Sequence, residues 1–263
     1  LFWSGSISSP SSPDFLDFLP SILNMSHGIS TRLSLRWLPD PPSEPTDTLV
    51  YNVGSYFVDL RVLKSDNSID WAMAGERQVI SQDPRVYPPI PLPIIFTNCF
   101  PRTVKCRWIK IIDSLGPSDP DEGSFTTLPN GDDLETGSMP HPETGVVTKY
   151  EEVWRNLKPR EGVKHAWILQ SVDEKCFLGR IGGGYVALRE AEGKLFGARR
   201  EEWDVSEGWS VKYKIGDVEG VPSLAARGKE AFDGEERWKI GDNVEVLGEQ
   251  YVVMAWEDLA NGS

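Results

Sequence analysis

The sequence predicts an all-β protein: two antiparallel, lipocalin-like β-barrel domains in tandem. Three segments carry that expectation, residues 69–76, 133–137 and 150–154, in which large apolar side chains alternate with polar or small ones. Period two puts Ile69, Trp71 and Met73 on one face of a strand and Asp70, Ala72 and Ala74 on the other. A strand with one such face forms the wall of a barrel or sandwich.

Taken in order, residues 33–38 form a short strand stopped by Pro39, Pro41 and Pro42. Residues 55–63 alternate, with Tyr56, Val58, Leu60 and Val62 on one face and a mixed set on the other. Residues 64–68 supply a hairpin loop into 69–74, and 77–80 follow as another strand. The proline-rich stretch 84–93 is expected to be an extended crossover. Val104, Cys106 and Trp108 then share a strand face, and 117–123 and 140–145 are expected to be exposed loops. Residues 147–157 fit a helical stripe through Tyr150, Val153, Trp154 and Leu157, yet Thr148, Tyr150, Glu152 and Trp154 also alternate, and the surrounding β context favours a strand. The polar, turn-forming residues 158–162 divide the chain. Beyond them short strands are expected at 165–170, 176–181, 185–188, 194–199, 209–215, 243–247 and 250–256. The first barrel is accordingly placed at 30–158 and the second at 163–259. Residues 1–29 form an N-terminal extension, disordered or artefactual: translation is expected to begin naturally at Met25, and 1–24 carry no Lys or Arg and several Ser-Pro breaks.

Composition narrows the partners. A net charge of −13 repels phosphate backbones and anionic lipid heads, which argues against nucleic acid and membrane surfaces, and no window is apolar for the length a membrane helix needs. The three cysteines, Cys99, Cys106 and Cys176, lack metal-binding spacing and fit buried free thiols in a reducing compartment.

Residues 54–61, 70–75 and 135–137, followed by Tyr150-Glu151-Glu152-Val153-Trp154, resemble the fungal family of two-barrel, lipocalin-like proteins named for interacting with yeast casein kinase I. The similarity extends through Leu178-Gly179-Arg180, residues 208–215 and the closing 243–256 hairpin, covering roughly residues 30 to 258. The resemblance implies two β-barrels, a soluble cytoplasmic and nuclear setting, and contact with a protein kinase; it implies no catalytic residues. The proline-rich 84–93 segment and the acidic loop at 117–123 depart from the family's compact pattern.

The residues themselves offer little catalysis. His27, His141 and His165 are the only histidines, and no Ser or Cys nucleophile sits in a recognisable elbow. The adjacent acids Asp132-Asp133 and Glu151-Glu152 point to opposite faces of a strand, so neither pair meets in one pocket by itself. Residues 119–123 lack the ligand spacing of a calcium loop, and Gly182-Gly183-Gly184 fits a strand-to-strand turn, not a phosphate loop. No metal or cofactor is expected. The ten tryptophans leave open an apolar ligand pocket in the first barrel, bordered by Trp71 and Trp108 with Arg61, Glu135 and Glu152 as its polar groups. The expected function is therefore a non-enzymatic binding or adaptor protein that contacts a kinase or other protein. The alternative is a lipocalin-like binder of an apolar small molecule, or a barrel-type isomerase or cyclase, using that pocket.

Overall fold

In the structure, a computed structural model that describes residues 27–82, 103–190, 193 and 195–260, eight strands close into an antiparallel barrel. They are β1 (His27–Trp37), β2 (Thr46–Val53), β3 (Tyr56–Leu63), β4 (Ile69–Gln82), β5 (Thr103–Asp113), β6 (Asp121–Thr127), β7 (Asp133–Pro140) and β8 (Val147–Leu157). Each pairs with its chain neighbour, and β8 returns to β1 with Ile29 opposite Leu157 and Trp37 opposite Tyr150. An eight-stranded barrel has an interior that side chains fill or that holds one small ligand. Residues 1–24, the 84–93 crossover and Cys99 lie outside the described residues.

The second half departs from the expected second barrel. Strands β9 (His165–Ser171), β10 (Cys176–Ile181), β11 (Gly184–Arg189), β12 (Gly197–Asp204), β13 (Gly208–Ile215), β14 (Asn243–Val246) and β15 (Glu249–Asp258) form a seven-stranded antiparallel sheet in the order β13-β12-β11-β10-β9-β15-β14. It stays open because the chain between β13 and β14 leaves the sheet. That stretch contains a single helical turn, α1 (Leu224–Arg227), capped by the Ser223 side chain, and a 3-10 turn at Glu235–Arg237. Val221, Leu224 and Phe232 from it bury against Trp167, Leu169, Leu178, Tyr185 and Tyr251. One face of the sheet is thus filled by its own connection.

The other face of the sheet packs on the outside of the barrel. Val58, Leu60 and Val62 of β3 and Ala72 and Ala74 of β4 form one core with Ala166, Ile168, Phe177, Ile181, Val186 and Leu188. Gly179 makes the approach close: a Cβ there would press on Val58 and Tyr51. At the edge of this contact Asp47 accepts from Arg200 at 3.1 Å and from the Tyr213 hydroxyl at 2.8 Å, and His27 pairs with Glu257 at 3.2 Å. The apolar face of β3 therefore points away from the barrel interior, and the mixed face, Phe57, Asp59 and Arg61, lines it.

Two local expectations change as well. Ile69 and Trp71 do not share a face, because Arg61 pairs with Trp71 while Val62 pairs with Ile69. The extra residue, Asp70, is a bulge that sends Ile69 to the outer core and Trp71 inward. Residues 121–123, expected in a loop, open strand β6, whose outward Glu122 pairs with Lys105 at 2.5 Å and with Arg107 on β5. Residue 140, expected at the start of the following loop, still belongs to β7.

Candidate functional site

The interior of the barrel contains a cavity of about 60 Å³. A single water needs roughly 10–15 Å³, so the space suits a few waters or a small head group and is far below a drug-sized pocket. Alternation along the strands selects the lining. Arg61 of β3, Trp71 of β4, Trp108 of β5, Glu135 of β7 and Glu152 of β8 all border the cavity, the five residues singled out from the sequence.

Glu135 and Glu152 meet because they are direct cross-strand partners on β7 and β8, not because of any adjacency in the chain. Glu135 is buried, and among the described residues no cation is in contact with it. Its Oε1 accepts from the Tyr150 hydroxyl at 2.9 Å and its Oε2 from the Trp154 indole N–H at 2.9 Å. Burial, followed by repulsion from Glu152, pushes its carboxyl up to about 8. Glu152 instead takes Arg32 at 2.6 Å, with Arg61 at 3.6 Å. Arg32 is shared with Glu44 at 2.7 Å.

Arg61 is fixed on three sides. Its Nε and Nη2 donate to Asp59 Oδ2 at 3.0 and 2.8 Å, and its guanidinium lies 4.9 Å from the Trp71 ring centre and 5.8 Å from that of Trp154. Trp71 is itself oriented by donation from Nε1 to Asp113 at 2.8 Å, and Lys110, held by Asp121 at 2.9 Å, covers the same ring at 5.2 Å. Burial raises the Asp59 carboxyl above its usual range, with Arg61 opposing. Cys106, part of the interior core with Val50, Val104, Phe125 and Trp154, has its thiol pushed up to about 11 by burial, which makes it inert.

Backbone space is arranged around the carboxylate. Gly123 and Gly137 are cross-strand partners on β6 and β7; a Cβ at 123 would fall inside the Glu135 carboxylate, and one at 137 inside the Tyr150 ring. Glycine within a strand weakens it and marks a place where something else must come close. Here that is the Glu135–Tyr150 pair.

Two of the lining residues carry a buried polar atom, Ser30 Oγ and Asp59 Oδ1, that has no hydrogen-bond partner among the described residues. They lie in one row, since Ser30 pairs with Val50 and Val50 with Asp59. Sequence reasoning missed both, along with Tyr150. The signal for Tyr150 was its place two residues before Glu152 on the same alternating face.

The buried charges around Glu235 in the second half are paired with one another within the fold. Glu235 holds Arg180 at 2.6 Å and His165 at 2.9 Å, and His165 stacks on Trp256. The three tie the connection before β14 to the sheet. Among the described residues no group of three or more His, Cys, Asp or Glu is placed to hold a metal, and no helix is long and apolar enough to cross a membrane.

Fold and cavity together define an all-β protein in which a closed barrel, backed by an open sheet, holds a charged, aromatic-walled cavity. The chain belongs to the HRI1 family, whose model, described as Protein HRI1, matches residues 28–255. Among solved structures it is similar to an uncharacterized protein of Saccharomyces cerevisiae, YLR301w, with a TM-score of 0.63 at 15% identity over 88% of this chain and 99% of that one. That likeness establishes the fold. No curated protein matches the sequence.

Proposed function

We propose that the protein is a non-enzymatic binding protein that holds a small molecule in the barrel interior. The observation that carries this reading is the pair of buried, unpartnered atoms, Ser30 Oγ and Asp59 Oδ1, on the cavity wall. Leaving a buried polar atom unpaired costs roughly 1–3 kcal/mol, and two in one row are accounted for by a ligand that bonds to both. The size of the cavity restricts the bound group to a few heavy atoms.

Methionine-methyl NMR tests this reading. Met73 and Met139 line the cavity, whereas Met254 packs against the core between barrel and sheet. A library of small polar fragments should contain members that shift the Met73 and Met139 methyls and leave Met254 still. A library that moves neither cavity methyl would refute it.

The net charge of −13 supports a second activity on the outer surface, the docking of a basic segment of a protein partner such as a kinase, in a cytoplasmic and nuclear setting. Its test is kinase binding that weakens steeply with salt; binding indifferent to salt, or none, would remove it.

A further inference from the structure

Resting on the reading of the barrel interior as a ligand site, we infer that the ligand is a small organic cation, an alkylammonium with at least one N–H donor. The first argument is hydrogen-bonding chemistry. Asp59 Oδ2 is already engaged by Arg61, and Oδ1 is bare, buried and on the cavity wall. An ionised carboxylate only accepts, so whatever completes it must donate. Ser30 Oγ, on β1 two strands across from Asp59 in the same row, is a second acceptor for a donor on the ligand.

The second argument is charge. The cavity lining includes the carboxylates of Asp59, Asp121, Glu135 and Glu152 against the guanidiniums of Arg61 and Arg77. Lys110 answers Asp121 from behind, and Arg32 reaches Glu152 but is shared with Glu44. Glu135 has only neutral donors in contact, Tyr150 and Trp154. The lining carboxylates outnumber the lining guanidiniums, so an anion would meet net negative charge once Glu135 ionises, whereas a monovalent cation beside Glu135 supplies the counter-ion that Tyr150 and Trp154 do not.

The third argument is the wall. Trp71, Trp108, Phe125 and Trp154 border the cavity, and aromatic rings of this kind attract an ammonium group. Arg61 already uses the faces of Trp71 and Trp154, which shows that the wall accepts a positive charge when a carboxylate lies beside it.

The groups that face Glu135 are Glu152 and Tyr150 on β8, Arg61 on β3 and Cys106 on β5. Only Arg61 among them is cationic, and it is committed to Asp59 and Glu152. A bound ammonium would therefore draw Glu135 toward its ionised form, and its affinity would rise with pH as Glu135 loses its proton.

The test titrates propylammonium, with propanol and propionate as its neutral and anionic counterparts, into the full chain while following the Met73 and Met139 methyls. Propylammonium should bind at least about tenfold more tightly than propanol, propionate should not bind, and Asp59→Asn should remove the preference. If that variant does not fold, the pH dependence decides. Propylammonium affinity should rise between about pH 6 and about pH 9 while propanol affinity stays flat, since a primary ammonium titrates only near pH 10. Propanol binding as tightly as propylammonium, or propionate binding more tightly, would overturn the cation assignment and leave the ligand site standing. No methyl response to any of the three, or to the fragment library, would withdraw both.

Discussion

Glu135 should make the protein lose stability as pH rises through neutrality, and Glu135→Gln should abolish that loss. A carboxyl normally titrating at 4.5 is held up to about 8 by burial and by Glu152. Between those values the folded chain keeps a proton that the unfolded chain has released, so raising pH favours unfolding. The stabilisation is fully present below 4.5 and is lost as pH rises through the folded value. Each pH unit in that window costs about 1.4 kcal/mol, and even a window half as wide gives about 2 kcal/mol. Glutamine has the shape of the protonated acid. Its carbonyl can still accept from Trp154 or Tyr150, and it presents no charge to Glu152. The assay is urea unfolding of the natural chain and the variant at about pH 5 and about pH 9, with the difference between the two pH responses attributed to Glu135. The variant should gain at least about 2 kcal/mol relative to the natural chain at the higher pH. Parallel pH profiles, or a natural chain that gains on the variant as pH rises, would refute the placement of Glu135 as an uncompensated buried acid.

Three further outcomes follow from packing. Gly123→Ala should cost about 1–3 kcal/mol in denaturant unfolding, because the new methyl occupies the space of the Glu135 carboxylate; a neutral result would mean that β6 can shift freely. Leu60→Ala, at a fully buried position between barrel and sheet, should cost about 2–5 kcal/mol and leave a single unfolding transition; two separated transitions would show that the halves fold independently. Glu235→Gln should cost about 3–5 kcal/mol by leaving Arg180 buried without its carboxylate, as read by thermal or urea unfolding; a change below about 1 kcal/mol would mean that the connection before β14 is held by its apolar contacts alone.

Much of the β architecture was legible because alternation is a local property. The run from Cys176 to Ile181 is strand β10 with the expected bounds, and 147–157 is a strand throughout, as the alternation of Tyr150, Glu152 and Trp154 suggested. Alternation divides a strand into two faces without saying which is inside. On β3 the apolar set went outward because a second sheet covers it, and that sheet lies more than a hundred residues further along the chain. Strand β6 escaped notice because Asp121, Glu122 and Gly123 have the composition of a turn; their strand character comes from Lys105 and Arg107 on the neighbouring strand and from the room Glu135 requires. The five site residues came together because each sat on a definable face, while Ser30 and Asp59 were invisible as a pair. Their meaning depends on β1, β2 and β3 lying in register. Whether the second sheet closes was equally beyond local pattern, since that turns on where the chain between β13 and β14 travels.

The one-sided backing of the barrel makes its wall mechanically unequal. From β2 to β4 both faces are occupied, by the cavity lining within and the sheet without, so an outward breath of this arc would have to pry apart a close-packed core. Among the described residues the arc of β7 and β8 has no such brace: Thr136, Ser138, Val147 and Lys149 are exposed. Backbone amides should exchange with solvent slowly along the first arc and faster along the second. A molecule passing between solvent and cavity would find its compliant side there, next to Glu135 and Tyr150, while Asp59 and Ser30 wait on the rigid side.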